Sequence, residues 1–130
     1  MSTAPAAQSR YVFDGFVLSP SRRALFHLVR EVPLIPRYFD LLVLLVRKRE
    51  IAVARAEILD AVWADVVVSE GALTQAVRTL RRILGDDPRE PRYIRTLSRH
   101  GYRFVHGAVV EEPDEGAVGV VELVGTMGAA

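Results

Sequence analysis

The sequence predicts an α+β domain: an antiparallel sheet first, three helices next and a β-hairpin last. Three observations lead there. Residues 11–35 are rich in aromatic and β-branched residues interrupted by turn residues, the pattern of short strands. Residues 36–84 carry apolar side chains at three- and four-residue spacing in three separate runs, the pattern of helices. Residues 93–105 return to strand composition on either side of Ser98-Arg99-His100-Gly101, a tight cationic tip.

At 130 residues the chain is expected to hold one domain, residues 11–106, between a disordered start at 1–10 and a tail or linker of acidic and small residues at 107–130. Half of the residues are hydrophobic, enough for a core. Cysteine is absent, which rules out disulfides and thiolate metal sites. Leu41–Val46, the longest wholly apolar run, is far too short to span a bilayer. The N-terminus lacks the basic-then-apolar order of a signal peptide. A cytoplasmic location with no membrane segment is therefore expected.

In chain order, Tyr11–Leu18 should be extended, bent or bulged at Asp14-Gly15, with a turn at Ser19-Pro20-Ser21. Arg23–Leu28 and Val32–Ile35 read as two strands around a turn near Arg30-Glu31. Pro36 suits the first position of a helix. Phe39, Leu42, Val43 and Val46 form its buried stripe, and Arg47-Lys48-Arg49 closes it with cations at its negative end. Ile51–Val53 is a short linker or strand. Ala54–Ala64 is a second helix, with Ile58, Leu59, Val62 and Trp63 inward. Asp65-Val66-Val67-Val68 is a short loop into the third helix. Asp86-Asp87-Pro88 is a turn rather than a metal site, since Asp and Pro are turn residues and no histidine stands nearby. Val118–Val124 could form one further short strand.

The third helix, 70–84, holds the chemistry. Ser69 stands at its N-cap, where a hydroxyl can accept from an orphan amide, and Gly85 at its left-handed end. Leu73, Ala76, Val77, Leu80 and Leu84 form one face. Thr74, Gln75, Arg78, Thr79, Arg81 and Arg82 form the other, with no acid between Gly71 and Gly85. A surface helix usually mixes both signs. Arginine suits phosphates and guanine edges, and glutamine suits adenine, so this face fits the major groove of DNA. Two helices with a short connection, the second cationic, make a helix-turn-helix, and a hairpin after it is a wing.

Charge distribution agrees. Net charge is +1, yet residues 1–107 hold all 17 basic residues against 11 acids, a balance of +6. Residues 71–107 hold eight arginines against three acids, or +5. A positive field gathered in the last third of the folded part suggests a polyanionic partner.

The chain resembles the OmpR/PhoB-type winged helix-turn-helix DNA-binding domain over about 11–105. The resemblance rests on PRYFDLLVLL (36–45), AEILDAVW (56–63), ALTQAVRTLRRILGDDP (72–88) and, most specifically, YIRTLSRHGYRFV (93–105). VVVSEGALTQAVRTLRRILGDD is similar to CadC/ToxR-like members, whose domain is N-terminal and has no receiver in front. The resemblance implies helix 70–84 in the major groove of double-stranded DNA and wing 93–105 at the minor groove or backbone. By position it implies Gln75, Arg78, Thr79 and Arg82 facing DNA, Arg81 at the edge, and Thr96, Ser98, Arg99 and His100 at the backbone or minor groove. It also implies monomers that bind tandem half-sites, and a loop at Asp65, Val66 and Val67 that contacts RNA polymerase. Differences from relatives include Ile35 and Ala54 where Thr or Ser is common, and Thr79 where many have arginine. The wing cation is Arg99, whereas relatives often carry it at the position of Ser98.

The alternative is a winged helix that contacts RNA polymerase or another regulator without its own DNA specificity. An enzyme is not expected, because His27, His100 and His106 are scattered and no nucleophile elbow or phosphate-cradling glycine loop occurs. No cofactor or metal is expected.

Overall fold

The structure, a computed structural model, describes residues 8–98 and 100–114, and of Glu70 the backbone alone. In chain order it contains β1 (Gln8–Phe13), β2 (Phe16–Ser19), β3 (Ala24–His27), β4 (Arg30–Val32), α1 (Pro36–Arg47), α2 (Arg55–Val62), α3 (Glu70–Leu84), β5 (Ile94–Leu97), β6 (Gly101–Phe104) and β7 (Val110–Asp114). The α+β class expected from the sequence is the one found. The chain divides into two compact units: residues 35–107, and the sheet residues on either side of them. Among the described residues no helix is long and apolar enough to cross a membrane.

The sheet unit is antiparallel throughout, with strand order β4-β3-β2-β1-β7. Tyr11–Leu18 is two strands rather than one. Asp14 and Gly15 both take positive φ, 48° and 81°, and form a two-residue hairpin turn between Phe13 and Phe16. An Asp-Gly pair is the strongest short hairpin signal, because both turn positions need positive φ. The turn expected near Arg30-Glu31 lies earlier, at Leu28-Val29, with φ of 50° and 67°. Both side chains there are exposed. Branched apolar residues disfavour that backbone region, so the sequence offered no signal for it.

β7 corrects the reading of 107–130 as tail or linker, and β1 begins at Gln8, inside the start read as disordered. Gln8↔Asp114 through Val12↔Val110 pair in register. Asp114 is buried and accepts hydrogen bonds from Ser19 Oγ at 2.9–3.0 Å and from the Ser21 amide at 2.9 Å. Arg10 pairs with Glu112 at 2.6 Å. Pro113 is tolerated because β7 is an edge strand. The rest of that tail, with the strand expected at Val118–Val124, lies outside the described residues.

In the helical unit, α1 starts at Pro36 and buries Phe39, Leu41, Leu42, Val43, Leu45 and Val46. It packs on α2, α3 and β6. Neither α1 nor α2 has a side-chain N-cap, as Ile35 and Ala54 predict. Lys48 pairs with Glu57 and ties the end of α1 to α2. α2 buries Ile58 and Val62, and Trp63 beyond it is buried too, while Leu59 is only partly covered.

β5 and β6 form the hairpin, and Val53 bridges to Tyr102 through two backbone bonds of 2.8 and 3.1 Å. The linker between α1 and α2 is thereby fastened to the hairpin. Gly101, with φ 106°, makes this possible: a Cβ there would sit 1.9 Å from the Val53 carbonyl oxygen. No side chain fits a gap that small.

Candidate nucleic-acid interface

α3 runs from Glu70 to Leu84 as its spacing predicts, and it buries Leu73, Ala76, Val77, Leu80 and Leu84. Ser69 occupies the N-cap, but its hydroxyl makes no capping bond there, which corrects that expectation. Gly85 adopts the left-handed conformation with φ 73°. Its amide donates to the Arg82 carbonyl and the Asp86 amide donates to the Arg81 carbonyl, which is the Schellman closure.

Asp86 then sets the path out of the helix. Its carboxylate accepts from the backbone amides of Asp87, Arg92, Tyr93 and Ile94, at 2.7–3.3 Å. The adjacent acids therefore form a turn, as read, and Asp86 also fixes where β5 begins. That second role was missed in the sequence, where an Asp before a proline signals only a turn.

Thr74, Gln75, Arg78 and Arg82 are exposed on the face opposite the buried leucines, and Thr79 is half-exposed. Gln75 Nε2 lies 3.4 Å from Thr79 Oγ1, so the two neutral polar groups meet one turn apart. No ion pair engages Arg78 or Arg82 among the described residues. Arg81 is different. Its Nη2 donates to the Ile94 carbonyl at 2.9 Å and to Thr96 Oγ1 at 2.8 Å. The structure thus brings two expected site residues together and directs Arg81 into the hairpin, tying α3 to β5.

At the hairpin tip Ser98 and His100 are exposed, and the His100 amide donates to the Leu97 carbonyl at 2.7 Å. Arg99 lies outside the described residues. Arg95 and Arg103 stand directly opposite each other, both exposed, and Arg103 Nε donates to the Arg49 carbonyl. Like charges so placed repel, and a polyanion would relieve them. Sequence alone gives no sign of this pair, because it depends on the register in which β5 meets β6.

An open hollow of about 460 Å³ lies where α2, α3 and the hairpin meet. Arg55, Thr74, Arg78, Arg81, Arg82 and Thr96 are among the side chains that line it. On the connection between α2 and α3, Val67 is fully exposed and Val66 nearly half-exposed. Arg37 holds this loop with a two-pronged bridge to Asp65, at 2.8 and 3.0 Å, and a bond to the Val62 carbonyl. The hydrogen bond from Arg37 lowers the Asp65 carboxyl below its ordinary range, and the same bond raises Arg37. The three residues expected at a polymerase contact therefore do form one presented loop.

Comparison with known proteins agrees with this geometry. The chain is 38% identical over 109 residues to the transcriptional regulator HilA of Salmonella typhimurium (strain LT2), covering 84% of the chain and 19% of HilA. It is 30% identical over 102 residues to the transcriptional activator CadC of Escherichia coli K12, covering 78% of the chain and 20% of CadC. It thus spans about a fifth of the length of these curated relatives. Among solved structures, the DNA-binding domain of E. coli CadC superposes with a TM-score of 0.68 at 28% identity, covering 82% of this chain and 99% of that one. Residues 29–104 match the family described as transcriptional regulatory protein, C terminal. That match takes in more than half of the sequence, and the chain belongs to this family of OmpR/PhoB-type DNA-binding domains.

Proposed function

We propose that the chain reads a specific operator in double-stranded DNA, with α3 in the major groove and the β5–β6 hairpin beside it as a wing. The observation that carries this is the outer face of α3, where Gln75, Arg78 and Arg82 are exposed together with no acid opposed to them among the described residues. Amide and hydroxyl groups are short and reach base edges, so Gln75 and Thr79, with Arg82, read bases, while Arg78 holds phosphate at the groove wall. Thr96, Ser98, Arg99 and His100 meet the backbone or minor groove. Arg81 serves as the brace between helix and wing.

The protein acts as a regulator and not as an enzyme, in the cytoplasm, and needs no cofactor. Free chains are monomers, and two bind in tandem on half-sites roughly 10 bp apart. The presented loop at Asp65, Val66 and Val67 supports contact with RNA polymerase, because an apolar, fully exposed Val67 held out by an ion pair suits a protein partner.

Selection of binding sites from genomic fragments tests the reading. A short repeated motif should emerge, and titration of that duplex should show log K falling steeply with log salt. Recovery of fragments with no shared motif would overturn operator reading. Light scattering of the free chain should give a monomer mass, and a dimer at micromolar concentration would overturn the tandem arrangement.

A further inference from the structure

The two faces of the sheet are closed to different degrees. Residues paired directly across antiparallel strands share a face, and alternate residues along a strand share it too. Tyr11, Phe13, Phe16, Leu18 and Leu25 lie on one face, and none is more than 5% exposed. On the other face Val110, Val12, Val17 and Phe26 stand in one register across β7, β1, β2 and β3. Val110 is 57% exposed, and the other three are half-buried. The solvated face of an antiparallel sheet is normally polar. A contiguous apolar row on it marks a contact surface.

Position, composition and charge identify the occupant. Asp114, the last residue of β7, pairs with Gln8, which places its side chain on the same face as Val12. It is held there by Ser19 and the Ser21 amide, so the chain beyond it sets out from this face. That chain supplies Ala117-Val118-Gly119-Val120-Val121-Glu122-Leu123-Val124, an apolar segment with a single charge. At the far end of the row the Arg22 guanidinium lies 5.2 Å from the centroid of the Phe26 ring. Residues 115–130 carry Glu115 and Glu122 and no base, so the charges are of opposite sign. Reach is ample. The row lies four residues back along β7 and three strands across, about 13 by 14 Å. Residues 115–124, extended, reach about 33 Å.

We propose that residues 117–124 of this chain seat on the half-open face of the sheet, over Val12, Val17 and Phe26, with Glu122 toward Arg22. The segment gives the sheet its second apolar layer. It also fixes the path of the chain after β7 and keeps the apolar row from meeting a second copy. None of this depends on DNA.

The test uses the full chain, whose lack of cysteine lets one label be placed without competition. Thr126→Cys carries a nitroxide, and amide signals are compared with the label oxidised and reduced. Val12, Val17 and Phe26 should weaken several-fold in the oxidised form. Adding Val120→Asp with Val121→Asp to the labelled chain should restore them, because a charged segment leaves the apolar row. Signals at the row that never weaken overturn the proposal. So does weakening that survives the two aspartates, which would report only a tether near Asp114. Mixing a labelled chain with an isotope-marked, unlabelled one decides between chains: weakening there would mean that a second copy covers the face, and would also overturn it. Should the double variant not fold, Glu122→Arg takes its place. It sets like charge against Arg22 and should restore Phe26 first, and an unchanged Phe26 signal overturns the seating.

Discussion

The sheet unit and α3 treat charge in opposite ways. In the sheet, Arg10 is answered by Glu112, and Asp114 by Ser19 and Ser21, so the polar groups close on one another. On α3, Arg78 and Arg82 are left open toward solvent. Closed charges organise a fold; open charges of one sign, gathered on one face, await something from outside. Arg81 shows that the distinction lies in geometry and not in residue type, since it neighbours Arg82 in sequence and is closed by β5.

Removing a closed acid should give the largest change in stability. Asp114→Ala strands the buried Ser19 Oγ and takes the acceptor from the part-buried Ser21 amide, and should cost about 2 kcal/mol. Chemical denaturation should show that loss while DNA affinity on folded protein stays unchanged. Removing an open group should do the reverse. Gln75→Ala should leave melting unchanged and cost about 1–3 kcal/mol at one base position, relaxing preference there. A base-preference profile that stays intact would show that Gln75 does not read bases.

Arg78→Ala against Arg81→Ala sharpens the contrast within one helix. The first should flatten the salt dependence by about one unit on all sequences and leave stability alone. The second should cost about 1 kcal/mol of stability through its lost bonds to β5, with little change in slope. Equal slopes for both variants would mean that Arg81 also meets phosphate.

The smallest effect concerns Asp65. Its carboxyl is lowered in the folded chain by Arg37, so the bridge contributes fully above the ordinary carboxyl range and is lost as pH falls through the lowered value. Protection of the Val66 amide, taken relative to its intrinsic exchange rate at each pH, should fall at that acid end. Asp65→Asn should show that low protection at every pH. A parent whose loop protection does not respond to acid would show that the bridge does not hold the loop.

Local signals explain how much could be read in advance. α3 was legible to the residue because five apolar positions, a serine at the N-cap position and a C-terminal glycine all agree, although that serine makes no capping bond. The hairpin was legible because its tip is polar and its flanks are not. β7 was hidden, since Val110-Glu111-Glu112-Pro113-Asp114 has little strand propensity and forms only by pairing with a strand about a hundred residues earlier. The Leu28-Val29 turn was hidden because those residues contradict its backbone. The second role of Asp86 was hidden for a third reason: it takes its meaning from partners in another element, the amides entering β5.

The frame around α3 has one further consequence. What holds the helix in place is its inner row of leucines, the left-handed Gly85, the carboxylate of Asp86 and the brace from Arg81. None of these belongs to the set that faces outward at 74, 75, 78 and 82. Scaffold and lettering are therefore separable. With the outward set reading bases as proposed, an ancestral copy could exchange a few outward letters and acquire a new operator without first surviving a loss of stability. Divergence after gene duplication would meet little resistance from folding, and the same separation offers a short, defined set of positions for redirecting the domain to a chosen sequence.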